Sequence, residues 1–343
     1  MTSTDPPDHP GFRPPWWLRG GHAQTLWAGL VRRGPALTLP RETVALPDGD
    51  DLWLFRGPPA DGPVVLVSHG LGGCVSSPYV LGLLAALHRA GFQGAVMQFR
   101  GAGNHINQLP RLFHAGAIDD LEATVTHVRS LWPQRPLALV GFSMGGILML
   151  NWLGARGGAA PVDAAITVGA PVDLARSVAY VGSGPRRVYD RYLTRILVRQ
   201  LRRKAAAQPL PLPTASMDGI TGLRVFDERV TAPLHGFRDA ADYYSRCAPL
   251  NTLGQIRVPT RMIHARDDPF IPMDSLPAPQ ALPTSVQLAV QPGGGHVGFV
   301  EGSVPWRAHY WLDAALPSAL RTLLRTGSAV STVQTTRPPE RGP

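Results

Sequence analysis

The sequence predicts an α/β fold whose mostly parallel central sheet is covered by helices on both faces. Short runs of consecutive apolar residues alternate with helix-length amphipathic stretches along most of the 343 residues. Uninterrupted apolar runs are typical of strands buried on both faces, because a strand with one wet face alternates apolar and polar residues. The six runs lie at residues 64–69, 94–99, 137–142, 164–169, 260–265 and 286–290.

Composition divides the chain into a core and three other segments. Residues 1–40 are rich in proline and aromatic residues and have no clear period, so we expect an arm packed on the core. The alternation lapses over residues 172–256, and an insertion at that point should lie as a lid above the carboxyl ends of the strands. Residues 41–171 and 257–325 then form the core. The polar residues 326–343, with proline and glycine, predict a disordered tail.

One helix of the insertion, residues 186–204, has two distinct faces. The apolar face carries Tyr189, Tyr192, Leu193, Ile196, Leu197 and Leu201, and another face carries Arg187, Arg191, Arg195 and Arg199. The favoured interpretation is a lid element whose apolar face packs on the core or a pocket. The alternative is peripheral contact of residues 186–204 with a membrane surface.

The formal charge of +9 does not by itself indicate a nucleic-acid partner. Lys204 is the only lysine among 33 basic residues, so the excess reflects a general arginine bias. The sequence shows no paired CxxC, no aromatic RNP-like strand and no basic helix-turn-helix pattern. We therefore expect no nucleic-acid partner.

The number of cysteines, the amino-terminal residues and the lengths of the apolar runs indicate the cellular compartment. Cys74 and Cys247 cannot form a disulfide framework, and neither has a metal-ligand spacing. The first 17 residues contain acids and prolines where a signal peptide has basic and then apolar residues. No apolar run reaches the ~18 residues of a membrane span. These features predict a cytoplasmic protein.

A G-x-S-x-G motif lies between a predicted strand and a predicted helix. Gly141, Ser143 and Gly145 follow the strand LALVGF directly, and the helical stretch ILMLNWLGA follows them. The pentapeptide alone is a weak signal. Its position on a sharp strand-to-helix turn, where neighbouring Cβ atoms have no room, makes Ser143 the predicted nucleophile.

A serine hydroxyl needs a base within hydrogen-bond reach and an acid that orients the base. Both should follow the serine along the chain, acid first, each at the end of a strand. Asp268, in HARDDPFIP, and His296, in GGGHVGF, meet these conditions. The neighbouring Asp267 competes for the acid role and is otherwise expected to be a solvated turn residue.

Donors for a tetrahedral oxyanion are expected from two backbone amides. One is that of Met144, directly after the nucleophile, and the other is that of Leu71 in the loop SHGLGG. His69, in the same loop, is expected to support the loop rather than transfer protons. FRGAGN lacks the rest of a dinucleotide-binding motif, so we expect no cofactor and no metal.

The chain resembles the YheT-like branch of the α/β-hydrolase family, related to the animal abhydrolase-domain lipases. The resemblance covers residues 12–325. It is carried by GGHAQTLW, SHGLGG with SSPY, GFSMGG, FDERVTAPLHGFRDAADYY, HARDDPF and GGGHVGF. FRGAGN and HAGAIDD depart from the family pattern and are expected to affect only pocket detail.

This resemblance implies an α/β-hydrolase fold and a triad of Ser143, Asp268 and His296. It implies a serine carboxylesterase or lipase that acts on short- or medium-chain acyl esters, with glycerolipids or phospholipids among the candidates, and needs no cofactor. Three alternatives stay open: a thioesterase, an acyltransferase with the same triad, and a non-catalytic binding protein on a hydrolase scaffold.

Overall fold

A computed structural model describes residues 11–213 and 217–334 of the protein, with side chains described as far as residue 326. It contains ten strands and ten helices within these residues. The strands are β1 (Arg41–Ala45), β2 (Asp51–Arg56), β3 (Val64–Ser68), β4 (Gln93–Gln98), β5 (Leu137–Phe142), β6 (Ala164–Val168), β7 (Thr260–Ala265), β8 (Val286–Gln291), β9 (Val300–Glu301) and β10 (His309–Tyr310). The helices are α1 (Gly21–Leu30), α2 (Pro78–Arg89), α3 (Ile118–Leu131), α4 (Met144–Arg156), α5 (Leu174–Val181), α6 (Arg187–Ala207), α7 (Leu223–Phe226), α8 (Ala232–Leu234), α9 (Ala240–Cys247) and α10 (Trp311–Gln334).

Eight strands form one sheet in the order β1-β2-β4-β3-β5-β6-β7-β8. From β4 to β8 every neighbouring pair is parallel. These six parallel strands are the six apolar runs of the sequence, so the predicted α/β architecture is confirmed. Because these strands are parallel, their carboxyl ends lie at the same edge of the sheet. The loops after β3, β5, β7 and β8 meet at this edge.

Helices cover both faces of the sheet, and the alternation of side chains along the strands assigns each residue to a face. One face packs against α2 and α10 through Val65, Val67, Val140, Ile166, Leu84, Leu87, Leu316 and Leu320. The opposite face packs against α3 and α4 through Leu66, Met97, Leu139, Leu121, Val125, Leu148 and Trp152. Burial on both faces explains why the central strands are apolar at consecutive positions.

The β1–β2 hairpin at the edge of the sheet was not among the predicted strands. It is antiparallel, and β2 pairs antiparallel with β4. Strand β2 has an apolar run of only four residues, 52–55, in which buried positions alternate with partly exposed ones, and β1 has a single buried residue, Val44. Asp48–Gly49 at the turn is the sequence signal that could have found it, since Gly49 has φ 85°.

The insertion, residues 172–256, contains α5 to α9 and lies in sequence between β6 and β7. The apolar face of α6 packs in a separate cluster with α7 and the following turn. Its buried members are Leu112, Val181, Tyr189, Leu197, Leu201, Leu223, Phe226 and Val230, and the core residues Leu71 and Phe270 pack against it. The insertion is therefore in contact with the loops at the carboxyl edge of the sheet.

The two terminal segments contain more helix than the sequence predicts. The segment 1–40 contains α1, which has no apolar period, and Phe12 is buried in the core against Phe299 and Trp311. At the other end, α10 continues to Gln334 and so includes residues for which the sequence predicts disorder. No proline interrupts the chain between Pro317 and Pro338, which removes one barrier to a continuous helix. Residues 1–10 and 335–343 lie outside the described residues.

Candidate active site

Ser143 lies on a strained turn between β5 and α4. Its backbone has φ 49° and ψ −114°, a conformation that residues with a side chain rarely adopt. The turn is crowded, because a Cβ atom added at Gly145 would lie 2.4 Å from the carbonyl oxygen of Ser68. Only glycine fits at that position. The local sequence therefore folds into the tight turn that lifts a serine hydroxyl above the carboxyl edge of the sheet.

Ser143, His296 and Asp268 form one hydrogen-bonded chain of side chains. The Oγ of Ser143 lies 3.0 Å from Nε2 of His296. The Nδ1 of the same imidazole lies 2.9 Å from Oδ2 of Asp268. Three loops that follow β5, β7 and β8 bring these residues together across 153 and 28 positions of sequence.

The aspartate and the imidazole are each held from a second direction. Asp268 is only 3% exposed, and its Oδ1 accepts a hydrogen bond of 2.7 Å from the amide of Phe270. The ring of Phe270 stacks on the imidazole of His296 with centroids 4.1 Å apart. Both contacts restrict rotation of the imidazole, which keeps Nε2 directed at Ser143.

The loop after β3 approaches Ser143 closely. A Cβ atom added at Gly70 would lie 3.3 Å from the Cβ of Ser143. The amide of Gly70 donates to the hydroxyl of Tyr79 at 2.8 Å, and the next amide is that of Leu71. Met144 is the first residue of α4, where backbone amides have no acceptor within the helix. In the described chain, neither the Leu71 nor the Met144 amide donates to another protein group.

A family model described as the α/β-hydrolase fold matches residues 63–303. This stretch begins at β3, contains the whole parallel sheet and ends after His296. The chain belongs to the α/β-hydrolase family.

Known proteins similar to this α/β hydrolase include a bacterial and an animal relative. YheT of Escherichia coli (strain K12) is 37% identical over 313 residues, which is 90% of this chain and 92% of YheT. Phospholipase ABHD3 of Mus musculus is 27% identical over 337 residues, covering 93% of this chain and 80% of ABHD3. These relatives confirm the resemblance to the YheT-like branch and make the chain an α/β hydrolase of the esterase and lipase type.

A solved structure shows the same fold at low sequence identity. The esterase Pf2001 of Pyrococcus furiosus matches with a TM-score of 0.55 and 15% identity, over 85% of this chain and 92% of that one. At this identity the likeness concerns the architecture alone.

Two small cavities of this α/β hydrolase meet at Ser143 and His296. The first has about 80 Å³ and is bounded on the insertion side by α5, α6 and α7, with Leu174, Val178, Val181, Leu193 and Leu223 in its wall. The second has about 190 Å³ and is bounded by α1, with Thr25, Ala28 and Gly29 in its wall. Leu71, Leu193 and Phe270 line both cavities. Most of the wall is apolar, so the site offers two apolar compartments on either side of Ser143.

The amino-terminal segment holds the histidine loop, a role that sequence reasoning missed. The amide of His296 donates to Oγ1 of Thr25 at 2.8 Å, across 271 positions of sequence. Gln24 is fully buried; its Oε1 accepts from the amide of Val300 and its Nε2 donates to the carbonyl of the same residue, four positions after His296. Both residues belong to GGHAQTLW, one of the motifs that carry the family resemblance, and this motif is the available signal.

Asp267 lies in the turn after β7, as expected, but it is partly buried rather than fully solvated. Its Oδ1 accepts a hydrogen bond of 2.9 Å from the amide of Gly295, next to His296. Partial burial raises the pKa of Asp267, while hydrogen bonds from the backbone of Gly295 oppose the rise. Asp267 thus contacts the backbone of the histidine loop, and Asp268 contacts the imidazole itself.

His69 lies in the loop after β3 but away from the hydrogen-bonded chain. It is fully buried, its Nδ1 lies 2.9 Å from the carbonyl oxygen of Gly70, and the amide of Phe99 donates to its Nε2 at 3.4 Å. Burial lowers the pKa of His69 to about 4, although the hydrogen bond to Gly70 works in the opposite direction. A neutral imidazole with both nitrogens engaged by backbone supports the loop.

Proposed function

We propose that this α/β hydrolase is a serine carboxylic-ester hydrolase in which Ser143 is the nucleophile, His296 the general base and acid, and Asp268 the orienting acid. The observation that carries the proposal is the continuous chain Ser143 Oγ, His296 Nε2, His296 Nδ1 and Asp268 Oδ2, with separations of 3.0 and 2.9 Å. A serine with its base in hydrogen-bond reach and the base in turn oriented is the arrangement that nucleophilic acyl transfer requires.

Protonation follows from the geometry. A carboxylate can only accept, so Asp268 keeps the imidazole proton on Nδ1 and leaves the lone pair of Nε2 facing the hydroxyl of Ser143. As Oγ attacks the ester carbonyl carbon, its proton passes to Nε2. The resulting imidazolium returns this proton to the alcohol oxygen when the carbon–oxygen bond of the ester breaks, and an acyl-Ser143 ester remains. Water attacks this ester by the same steps and releases the acid.

Two backbone amides are placed to bind the oxyanion of each tetrahedral intermediate. Those of Leu71 and Met144 flank Ser143 and donate to no protein group in the described residues. Backbone donors are fixed before reaction, so they need no reorganisation when charge develops on oxygen. One such donor stabilises the transition state by about 2.7 to 4 kcal/mol.

The cavities favour a short or medium acyl chain. The compartment bounded by α5 and α6 is small, with a volume of about 80 Å³. Longer chains then require movement of α6, which supports a lid role for the insertion. The name of ABHD3 as a phospholipase adds glycerolipids and phospholipids to the candidate substrates.

The first experiment compares hydrolysis of p-nitrophenyl esters from acetate to palmitate by the wild type and Ser143→Ala. We expect a rate optimum at short to medium chains and a loss on the order of 10⁶-fold in the variant. Labelling of the wild type by a fluorophosphonate, absent in Ser143→Ala, tests the nucleophile independently of substrate choice. Ester hydrolysis that survives in folded Ser143→Ala contradicts the proposal.

The neighbouring aspartates offer a matched pair for the acid role. We expect Asp268→Asn to lower kcat by about 10⁴-fold, because an amide no longer fixes the imidazole tautomer. Asp267→Asn keeps an acceptor for the amide of Gly295 and should retain most activity. The reverse ranking would assign the acid role to Asp267.

A further inference from the structure

The insertion carries an open groove with a strongly positive lining, here called the arginine groove. It has a volume of about 1070 Å³ and lies between α6 and the segment at 220–225. Its basic residues are Arg187, Arg191, Arg195, Arg199, Arg202, Arg203 and Arg224. Asp190 is the one acidic residue of the lining, and it is buried with its Oδ1 accepting from the amide of Leu223 at 2.8 Å.

The charge of this groove is almost entirely uncompensated within the described chain. Arg203 donates to the carbonyl oxygen of Gly103, and none of the other six makes a side-chain hydrogen bond or ion pair with a described residue. Elsewhere on the surface arginines do have partners, such as Arg129 with Asp163 and Arg156 with Glu122. Like charges four residues apart on a helix repel, so the groove does not serve helix stability.

Large apolar side chains are exposed on the two helices α6 and α1. On α6, Tyr192 is 61% exposed and Val188 is 59% exposed, and in the sequence both lie between arginines of the row. On α1, Leu30 is 80% exposed and Leu26 is 45% exposed. Helices α1 and α6 are in direct contact, because the hydroxyl of Tyr189 lies 2.9 Å from Nδ1 of His22 and the two rings stack.

The same two helices border the cavities at Ser143. Leu193 of α6 lines both cavities, and α1 lines the larger one. Val178 lies in the wall of the smaller cavity and also in the wall of the arginine groove. Positive charge and exposed apolar residues therefore surround elements that enclose the nucleophile.

We propose that α6 and the arginine groove dock the protein on the surface of an anionic lipid bilayer. Arginines attract the acidic head groups, while Tyr192, Val188 and the exposed leucines of α1 reach the boundary of the acyl chains. A nucleic acid is the less suitable polyanion, because the groove lining has aliphatic side chains but no aromatic platform for bases. In the described residues no helix is long and apolar enough to cross a membrane.

The test is cosedimentation with vesicles of phosphatidylcholine alone or mixed equally with phosphatidylglycerol. The full chain should bind only the anionic vesicles, and release at about 1 M NaCl, where the screening length falls to about 3 Å. Each arginine near such a surface contributes about fivefold in binding, so the triple variant Arg191→Gln, Arg195→Gln, Arg199→Gln should lose on the order of 100-fold.

A matched control removes the same charge elsewhere. The variant Arg129→Gln, Arg156→Gln, Arg238→Gln should bind anionic vesicles like the wild type. Tyr192→Ser should weaken binding without changing its salt dependence. Equal losses in the two triple variants, no binding by the wild type, or equally tight binding of a single-stranded oligonucleotide through the same arginines would each overturn the proposal.

The inference that docking brings the active site to a lipid substrate rests on the proposed function. The vesicle-binding test does not depend on that function. Vesicle binding is measured on Ser143→Ala as well as on the wild type, and the two should agree. Hydrolysis of soluble p-nitrophenyl butyrate should be unchanged in the groove variant, since its arginines line neither cavity at Ser143. A wild type that binds anionic vesicles but hydrolyses no soluble ester would contradict the proposed function alone. A wild type that hydrolyses the soluble ester but does not bind anionic vesicles would contradict this inference alone.

Discussion

Two groups of arginine in this molecule have opposite surroundings. Arg100, at the end of β4, is buried and donates to Asp120 at 2.8 and 2.5 Å, to Asp48 at 2.7 Å and to Asp50 at 2.9 Å. The arginines of the arginine groove are solvent-accessible, and six have no partner among the described residues. Arg100 is therefore surrounded by carboxylates, whereas each arginine of the arginine groove has other arginines as its neighbours.

The difference separates charge that holds the fold from charge that is available to a partner. Arg100 joins the turn of the β1–β2 hairpin to α3, so its ion pairs connect elements distant in sequence. A buried guanidinium must be paired, because an uncompensated charge away from water is costly. Exposed arginines are hydrated and impose no such requirement, so their position is free to serve binding.

The largest effect is expected from Arg100→Met, which leaves three buried or half-buried carboxylates without their shared cation. We expect the free energy of unfolding to fall by about 3 to 5 kcal/mol, measured by urea denaturation. Arg111→Met is the control, because Arg111 also contacts Asp48 at 2.6 Å but is 41% exposed. Its loss should stay below about 1 kcal/mol. Equal losses would erase the distinction between buried and exposed arginines.

Lys204→Met tests the one buried cation of α6. Its Nζ donates to the backbone oxygen of Asn107 at 2.8 Å and to Oδ1 of the same residue at 2.7 Å. The variant leaves the buried Oδ1 of Asn107 unpaired, while the backbone oxygen keeps a hydrogen bond of 2.9 Å from Nε2 of Gln208. We expect a loss of about 1 to 3 kcal/mol in unfolding free energy.

The effect of Lys204 should depend on pH. Burial lowers the pKa of Lys204 from 10.5 to about 8, so between these values the unfolded chain binds more protons than the folded one. Wild-type stability relative to Lys204→Met should therefore rise as pH increases from about 8 to about 10. Urea denaturation of both proteins at the two pH values measures this difference, in which other titrating groups cancel. If the stability of the wild type relative to Lys204→Met falls as pH rises, the pKa of Lys204 is not lowered in the folded protein.

Asp48→Asn should have a smaller effect that disappears in acid. Partial burial favours the neutral carboxyl, but hydrogen bonds from Arg100 outweigh it and lower the pKa of Asp48 below 3.8. The ionised group therefore stabilises the fold above pH ~4, and this contribution is lost as pH falls through the folded-state pKa. We expect a lower melting temperature for the variant at pH 7, equivalent to about 1 kcal/mol, and a smaller gap near pH 3. A gap that widens in acid would refute this.

The smallest change in stability is expected from Arg191→Gln, Arg195→Gln, Arg199→Gln. Removal of exposed, unpartnered charges should leave the free energy of unfolding within about 0.5 kcal/mol of wild type, or raise it slightly as repulsion is relieved. Urea denaturation at low salt is the measurement. A loss of several kcal/mol would show that these arginines hold the insertion together, and the contrast with Arg100 would fail.

Much of the fold and the candidate site was predictable because the relevant signals are local. The six parallel strands appear as apolar runs, and Ser143, Asp268 and His296 each stand directly after or near the end of such a run. The β1–β2 hairpin was missed because its strands are half-buried, β1 is largely polar, and the apolar run of β2 covers only residues 52–55. Local patterns thus identify strands that are buried on both faces better than strands at an edge.

Contacts between distant segments could not be derived from local patterns. FRGAGN and HAGAIDD were expected to affect pocket detail, yet Arg100 of the first pairs with Asp120 of the second, and neither lines a cavity at Ser143. The hydrogen bond from His296 to Thr25 spans 271 positions. Such pairs are visible only once the chain is folded, because nothing in the spacing of either segment refers to the other.

The hydrogen bond between Thr25 and His296 also has a consequence for biosynthesis. A growing chain contains Thr25 well before His296, so the two can meet only after the 271 positions that separate them have been translated. An incomplete chain that ends before His296 contains the proposed nucleophile without its proposed base. Under the proposed function, the site is therefore completed in a late step, when the segment that contains His296 closes against residues made long before it.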